Sequence, residues 1–318
     1  MAKYILNRII YLLPVLFIMS VVVFSFIHLI PGDPVDAILG LNASDEARTE
    51  VRKSLGLDRN VVVQYLAWIG GGVLTGDFGD SVVSQEPVLK LILEKLPATL
   101  LLAVASILVS VFIAIIAGTI AAVNKGTWTD LGILILALAG ISVPVFWIGI
   151  LAVLVFAVAW PIFPAIGYVS PLEDPVAALR HLTLPALCMG AALAGAIARM
   201  TRSEMIEQLG KDYIITARAK GLSPREVTYR HALRNSLITV VTFTGLEFGT
   251  LLGGAIIVET IFAWPGLGRT VIQAIFSRDY PMVQGIVLFL AFFFVFVNLL
   301  VDISYTFLNP QIRLDNGK

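Results

Sequence analysis

The sequence is poor in the residues from which most enzyme and metal sites are built. Its 318 residues include one cysteine and three histidines, and only 14% are charged. Cys188 cannot form an internal disulfide, and the histidines are too far apart for a zinc motif such as HExxH. The net charge of zero does not point to nucleic acid as a partner. Because soluble domains carry about 25% charged residues, much of this surface is expected to face something other than water.

Long apolar runs account for the missing charge. A bilayer core about 30 Å thick requires about 20 apolar helical residues to cross it. Six runs approach or exceed that length, at residues 9–30, 98–123, 131–159, 182–198, 236–261 and 283–308. The fourth is the shortest, and a buried amphipathic helix is its alternative interpretation. Pro144 is expected to kink the third. The sequence therefore predicts an all-α integral membrane protein with six transmembrane helices in a single domain, residues 1–318.

Lysine and arginine predict how the chain is oriented. With a cytoplasmic N-terminus, the cytoplasmic segments hold thirteen basic residues and the two short external loops hold three. Basic residues favour the cytoplasmic side, and long loops count little in this rule. Both termini are therefore predicted to be cytoplasmic. The first apolar run is longer than a signal-peptide core and has no small-residue cleavage site, so we expect it to remain as a helix.

The first external loop, residues 31–97, is predicted to carry helices on the membrane surface. Ser44 is placed to cap a helix over residues 45–55, and residues 61–69 have helical spacing. The three glycines at 70–72 are expected to break that second helix, and Pro87 suits the first position of another. The loop is either a docking surface for an external partner or a plain connector.

The fifth run contains a glycine stripe and two carboxylates. Gly245, Gly249 and Gly253 recur every four residues, a pattern that lets another helix approach closely. Glu247 lies near the middle of the run, where a carboxylate is costly unless it faces a cavity or a partner. It is a candidate for the translocation path or, equally, a structural carboxylate. Glu259, near the external end, is expected to reach water.

The long cytoplasmic loop, residues 199–235, carries eight basic and four acidic residues. Asp212 is expected to cap a short helix that Gly221 ends. Ser223 and Pro224 then begin a second helix, and Glu226 completes a capping-box pattern. A short helix held out in the cytoplasm suits insertion into a groove on a partner. The alternative is a loop that is basic only because it is cytoplasmic.

This loop resembles the cytoplasmic EAA loop of ABC importer permeases. Residues 216–223 (TARAKGLS) and 231–235 (HALRN) are similar to the branch that carries dipeptides, oligopeptides and nickel. The likeness extends along the chain to 31–34 (PGDP), 76–79 (GDFG) followed by Ser81, 264–268 (WPGLG) and 278–281 (RDYP). One departure is that the glutamate of the general loop falls at Ile215.

The resemblance implies a type I ABC importer permease in the cytoplasmic (inner) membrane. Its partners would be a second homologous permease subunit, two cytoplasmic ABC ATPase subunits and an external solute-binding protein. The residues implied to couple to the ATPase are Asp212, Tyr213, Thr216, Ala217, Arg218, Ala219, Lys220, Gly221 and Leu222. No GxxxxGK[ST] motif occurs in the chain. We therefore expect ATP and Mg to bind to the partner ATPases, and this chain to bind no cofactor and catalyse no reaction.

Peptides, either dipeptides or oligopeptides, are the cargo that the resemblance favours. Nickel or another metal chelate, glutathione and oligosaccharides are the alternatives within the same branch. The lack of a His, Cys or Met cluster weighs against direct binding of a bare metal ion. A self-sufficient secondary carrier or channel would favour several paired intramembrane charges, and an intramembrane hydrolase would need paired aspartates or a Ser/His arrangement. One central carboxylate fits both poorly.

Overall fold

The computed structural model describes residues 2–29, 35, 44–54 and 58–308, and the regular elements among these residues are helices, with no β-strand. The 31–34 motif and residues 309–318 lie outside the described part of the chain. The helices of the N-terminal half are α1 (Ala2–Leu29), α2 (Asp45–Ser54), α3 (Val61–Ala67), α4 (Val88–Val123), α5 (Trp128–Ser142) and α6 (Val145–Val153). Those of the C-terminal half are α7 (Pro175–Leu209), α8 (Asp212–Ala219), α9 (Pro224–Glu226), α10 (Arg234–Ile261), α11 (Leu267–Phe276) and α12 (Tyr280–Leu308).

The chain divides into two compact units. The first unit comprises Met1–Pro97 and Gly266–Leu299, and the second comprises Ala98–Pro265 and Leu300–Lys318. The first unit has an apolar core at the start of α4, in α11 and in the first turns of α12. Its buried members are Val88, Ile92, Leu267, Val271, Ala274, Met282, Val283 and Ile286. The second unit contains the rest of α4 and α5 through α10.

Three helices in the described part of the chain are long and apolar enough to cross a membrane. They are Val88–Val123, Pro175–Leu209 and Tyr280–Val301. A fourth is added if α5 and the helical residues Val145–Ala159 form one broken span. The fourth predicted run, residues 182–198, thus lies within a 35-residue helix and is a span candidate despite its own short length.

The third predicted run contains a break, which is a larger departure than the expected kink. α5 ends at Ser142, Val143 and Pro144 adopt extended conformations, and the following helix is bent by 102° from α5. Proline disfavours the helical conformation of the residue before it, so two consecutive residues leave the helix here. After the break, α6 continues as a π-helix over Leu154–Ala159.

Glycines on α7 bring neighbouring helices of the second unit into close contact. A Cβ atom on Gly190 would lie 2.9 Å from the carbonyl oxygen of Ser106 on α4. A Cβ atom on Gly195 would overlap with the carbonyl oxygen of Ala137 on α5. Backbones approach this closely only where a side chain is absent. Within this unit, α7 therefore makes close backbone contacts with both α4 and α5.

The loop predicted to be external is more helical, in its described residues, than its sequence indicates. α2 begins after Ser44, whose hydroxyl accepts a hydrogen bond from the Ala47 amide, as predicted. The glycines at 70–72 do not break the next helix, because α3 continues as a π-helix over Trp68–Gly72. Tyr65 packs against Phe17 and Phe24 of α1, and its hydroxyl lies 2.8 Å from that of Ser20. This segment is thus fixed to α1 within the first unit.

Candidate coupling site

The short cytoplasmic helix predicted from the sequence is present as α8. Lys211, not Asp212, occupies its N-cap position, and Asp212 is the first helical residue. The expected capping role of Asp212 is therefore wrong. Its carboxylate lies instead in the first turn, where negative charge interacts favourably with the helix dipole.

Gly221 ends α8 in the manner that its residue type predicts. Its φ is +84°, in the left-handed region that favours glycine. The Gly221 amide donates to the carbonyl of Arg218 at 3.0 Å, and the Leu222 amide donates to that of Ala217 at 3.3 Å. These two bonds form a Schellman motif, which satisfies carbonyls at the helix end. The chain therefore reverses within two residues.

The second arm starts with a complete capping box. The Ser223 hydroxyl accepts a hydrogen bond from the Glu226 amide, and the Ser223 amide donates to the Glu226 carboxylate at 3.0 Å. Hydrogen bonds from the Ser223 hydroxyl and amide lower the pKa of Glu226. From Pro224 the helix continues without interruption, through a π-helical stretch, into α10. We call residues 211–226 the hook.

Apolar contacts hold the hook against the rest of the second unit. Ile214 and Ala217 are buried with Met205 of α7, Val227 of the second arm and Ala232. Partly buried residues that surround this cluster include Ile206, Leu209, Tyr213, Leu222 and Leu233. Since the cluster joins α7, the hook and the start of α10, the hook is fixed to the helices on both sides.

A short chain of polar contacts supports the same attachment. The Tyr213 hydroxyl donates to the Gln208 side-chain oxygen at 2.8 Å. The Asn235 side-chain amide donates to the Tyr213 hydroxyl at 3.0 Å. One tyrosine thus joins the end of α7, α8 and the start of α10.

The structure divides the predicted coupling residues into two groups. Tyr213, Ala217 and Leu222 are buried or partly buried and face the protein itself. The exposed members are Asp212, Thr216, Arg218, Ala219, Lys220 and Gly221. The exposed group presents charge of both signs.

An exposed isoleucine lies on this same helix. Ile215, at the position of the general loop's glutamate, has 61% of its surface exposed. An isoleucine with this exposure gains little from the fold of its own chain. The outer surface of α8 therefore combines charged residues with one apolar side chain.

An ion pair next to the hook was not anticipated from the sequence. Arg202, two turns before the end of α7, donates from Nε and Nη2 to the two carboxylate oxygens of Asp130 at 2.6 and 2.7 Å. The Asp130 carboxylate also accepts a hydrogen bond from the Gly126 amide at 2.9 Å. The two partners are 72 residues apart, so no local pattern marks them.

The carboxylates and glycines of the fifth predicted run lie in different surroundings. Glu247 is partly buried in the middle of α10. A Cβ atom on Gly245 would lie 2.9 Å from Val301 of α12, whereas one on Gly253 would meet nothing within 4 Å. Gly249 is buried. Gly245 is thus at a close helix contact, and Gly253 faces open space.

Glu259 does not reach water, contrary to the sequence-based expectation. It is fully buried, and the Thr99 hydroxyl of α4 donates to its carboxylate at 2.7 Å. Nearby, the buried Trp264 donates from its indole nitrogen to the carbonyl of Ala98 at 2.8 Å. The end of α10 therefore packs against α4 at Ala98 and Thr99.

The 76–81 and 278–281 motifs, which belong to the two chain segments of the first unit, meet at Asp279. The Ser81 hydroxyl donates a short hydrogen bond to this buried carboxylate, and the Val82 amide donates another at 3.2 Å. The Met282 amide of α12 also donates to it at 3.3 Å. We call residues 76–87, which belong to the loop predicted to be external, the external turn. Asp279 therefore joins the external turn to the start of α12.

No group of three or more His, Cys, Asp or Glu side chains suited to a metal ion occurs among the described residues. Cys188 is buried on α7.

Comparison with known families identifies the family to which the chain belongs. A family model described as the inner membrane component of binding-protein-dependent transport systems matches residues 111–314. A model of the N-terminal part of such membrane components matches residues 1–103. The chain belongs to this family. The prediction of an ABC importer permease subunit is thus confirmed, and the permease is a multi-pass membrane protein.

Two relatives match the permease along nearly its whole length. A peptide transport system permease protein of Brucella abortus (strain 2308) is 45% identical over 315 residues, which cover 99% of this chain and all of the relative. The glutathione transport system permease protein GsiC of Escherichia coli (strain K12) is 42% identical over 313 residues, which cover 98% of this chain and 99% of the relative.

One solved structure supports the fold. A chain in the crystal structure of an amino acid ABC transporter with histidines superposes with a TM-score of 0.51. The match covers 68% of the permease and 94% of that chain, with 15% sequence identity. At this identity the likeness concerns the fold alone.

Proposed function

We propose that this permease forms half of the translocation path of an ATP-driven importer for peptides. The observation that carries the proposal is the hook, which is fixed inwardly by Ile214 and Ala217 and keeps charged side chains and Ile215 on its outer side. A helix attached this firmly and left uncovered suits a partner that binds it from the cytoplasm. We assign that position to an ATPase subunit.

The proposed assembly contains a second homologous permease subunit, two ATPase subunits and an external solute-binding protein. The permease itself carries no Walker A sequence, so ATP and Mg belong to the ATPases in this proposal. Closure of the ATPases would displace the hook, and α7 and α10, which join it on both sides, would carry the displacement into the membrane. Glu247 on α10 remains a candidate for the path that the solute follows.

We further propose six membrane crossings with both termini in the cytoplasm. In addition to the span candidates, α1 and α10 are each 28 residues long, which is enough to cross a core about 30 Å thick. The thirteen basic residues assigned to cytoplasmic segments support this orientation.

Cysteine labelling in whole cells tests the orientation. Replacing Cys188 by alanine removes the single native thiol, and Lys125→Cys or Leu172→Cys then introduces one exposed thiol outside the hook. A membrane-impermeant maleimide should label the Leu172→Cys variant in intact cells, and the Lys125→Cys variant only after the membrane is opened. The reverse pattern would contradict the proposed topology.

The cargo is tested by reconstitution. The permease with its partner subunits in proteoliposomes should take up dipeptides or oligopeptides only when ATP is present. Uptake by the permease alone, without ATPase subunits, would favour a self-sufficient carrier and contradict the proposal.

Glutathione is the second candidate cargo, because the Escherichia coli relative is named for it. Glutathione is itself a tripeptide, so the same path suits both ligands by size and polarity. Competition separates the two candidates. Excess unlabelled glutathione should leave the ATP-dependent uptake of a labelled dipeptide unchanged if peptides are the cargo. If glutathione is the cargo, labelled glutathione should be taken up with ATP and the labelled dipeptide should not.

A further inference from the structure

The ion pair between Asp130 and Arg202 has the geometry of a fixed joint. Two N–H groups of the guanidinium meet the two carboxylate oxygens at 2.6 and 2.7 Å. This bidentate arrangement fixes the orientation of both side chains as well as their distance. Asp130 is almost completely buried, and Arg202 is mostly buried. By contrast, the pair between Lys211 and Glu207 is exposed on both sides and lies within one stretch of chain.

Asp130 is itself held by the start of α5. Thr127 caps this helix by accepting a hydrogen bond from the Asp130 amide at 3.4 Å, and the Gly126 amide donates to the Asp130 carboxylate. Movement of the carboxylate therefore requires movement of the first turn of α5.

Arg202 lies on the helix that leads directly into the hook. α7 continues from Arg202 to Leu209, and Lys211 starts the hook two residues later. The Tyr213 hydroxyl bonds back to Gln208 at 2.8 Å. A displacement of α8 is therefore passed to the part of α7 that carries Arg202.

Further along, α5 and α7 remain in backbone contact until α5 ends. Gly195 of α7 lies against Ala137, and Gly140 of α5 lies against Ala191, where a Cβ atom would be 3.0 Å from the carbonyl oxygen. Only two residues later α5 stops at Ser142. The ion pair at one end and the glycine contacts along the length make α5 and α7 one body.

Beyond the Val143–Pro144 break, α6 still packs against α7, and it also packs against α10. A Cβ atom on Gly149 of α6 would lie 3.3 Å from the Ile261 side chain, at the far end of α10. The break therefore separates α5, which packs along α7, from α6, which adds a contact with the far end of α10.

We propose that Asp130 and Arg202 are positioning residues for coupling: their ion pair joins α5 to α7, so that displacement of the hook reaches the Val143–Pro144 break. The inference rests on the proposed function, because it assumes that an ATPase displaces the hook. The break then acts as a hinge, at which α5 follows the part of α7 next to the hook while α6 keeps its contact with the far end of α10.

Neutralising the pair tests this role without leaving an unpaired charge. In the Asp130→Asn/Arg202→Gln double variant, the assembled importer should still contain its ATPases, and solute transported per ATP hydrolysed should fall by about tenfold. Arg202→Lys keeps the charge but loses the bidentate contact. Its ratio of solute transported to ATP hydrolysed should therefore lie between that of the unsubstituted permease and that of the double variant. Glu207→Gln, which removes the exposed ion pair on the same helix, should leave the ratio unchanged.

Distance measurements separate a joint from a merely stabilising contact. On a Cys188→Ala background, spin labels at Trp128→Cys and Ser203→Cys report on the two joined helix ends, and labels at Trp128→Cys and Ile150→Cys report across the break. Addition of ATP should shift the first distance by less than about 2 Å and the second by more. In the double variant, the first distance should change with ATP.

Two results would decide against the inference in different ways. A double variant that transports with the original solute-to-ATP ratio and keeps the first distance fixed would overturn the joint and leave the proposed function intact. Uptake by the unsubstituted permease without ATP would overturn the proposed function, and the joint with it.

Discussion

The hook and the external turn are both tight reversals of the chain, but they are held in opposite ways. The hook is closed by bonds between residues at most five positions apart, namely the two Schellman bonds and the capping box of Ser223 and Glu226. The external turn also has local bonds, such as that from the Ser81 amide to the Glu86 carbonyl at 2.9 Å, but Asp279 attaches it to its unit through a bond to Ser81 that joins residues 198 positions apart. One reversal is formed by local bonds alone, and the other adds a buried bond that requires the assembly of its unit.

The difference also concerns what each region leaves exposed. The hook keeps its charged side chains on the outside, whereas the external turn buries the carboxylate on which it depends. Damage to the hook should therefore impair contact with a partner while the protein stays folded. Damage at Asp279 should instead lower the stability of the first unit.

Replacement of Asp279 is expected to give the largest effect. Asp279→Ala removes the acceptor for the Ser81 hydroxyl and the Val82 and Met282 amides. Loss of a buried charged acceptor should cost about 3 kcal/mol of stability. Thermal unfolding of the purified importer should occur at a clearly lower temperature, and uptake should fall only in proportion to the folded protein that remains.

Asp80→Ala is the matched control, because it removes an exposed carboxylate from the same turn. It should unfold at the original temperature. Equal destabilisation by both substitutions would mean that Asp279 has no special role in closing the turn.

Gly221 provides the corresponding test in the hook. Gly221→Val places a β-branched residue at φ +84°, which should strain the turn by about 2 kcal/mol. Because the strain is local, the protein should insert and purify normally. ATP-dependent uptake should fall by about tenfold or more, since 1.4 kcal/mol already corresponds to a factor of ten.

A second glycine of the same loop supplies the control. Gly210 has φ −88°, and a Cβ atom there would make only an ordinary contact with the Glu207 carbonyl at 3.5 Å. Gly210→Val should therefore retain most of the uptake. Full uptake by Gly221→Val, with normal amounts of ATPase bound, would contradict the coupling role of the hook.

The contrast between local and distant bonds also explains what the sequence could predict. Gly221, Ser223, Pro224 and Glu226 each act on neighbours within a few residues, and the turn and capping box that they predict are confirmed. Asp212 was predicted to be the N-cap of α8, but the N-cap is Lys211 and Asp212 is the first helical residue. Local signals thus determined the shape of the hook to within one residue.

Features that depend on distant partners were not predictable from local patterns. Glu259 was expected to reach water, because nothing near it in sequence reveals Thr99, 160 residues away. The Asp130–Arg202 pair was missed for the same reason. Pro144 signalled a disturbance of the third run, but its 102° bend depends on the packing of the helices on either side.

Ile215 tests whether an ATPase contacts the outer side of the hook. If an ATPase covers this exposed side chain, Ile215→Glu removes apolar burial of about 1.5 kcal/mol. About tenfold weaker association with the ATPase should result, measured by copurification over a range of ATPase concentrations. Ile215→Leu retains an apolar side chain of similar size and should bind normally. Unchanged binding of the glutamate variant would place the contact elsewhere on the hook.

The capping box should give the smallest effect. Ser223→Ala removes the hydroxyl that accepts from the Glu226 amide, and loss of an N-cap typically costs about 1 kcal/mol. The Schellman bonds of Gly221 and Leu222 do not involve this hydroxyl, so the turn should persist while the first residues of the second arm exchange amide hydrogen faster. Ser223→Thr keeps a capping hydroxyl and should retain the protection. If hydrogen exchange were faster throughout α8 as well, the two halves of the hook would form one cooperative element, and the Schellman bonds would not be enough to close the turn without the capping box.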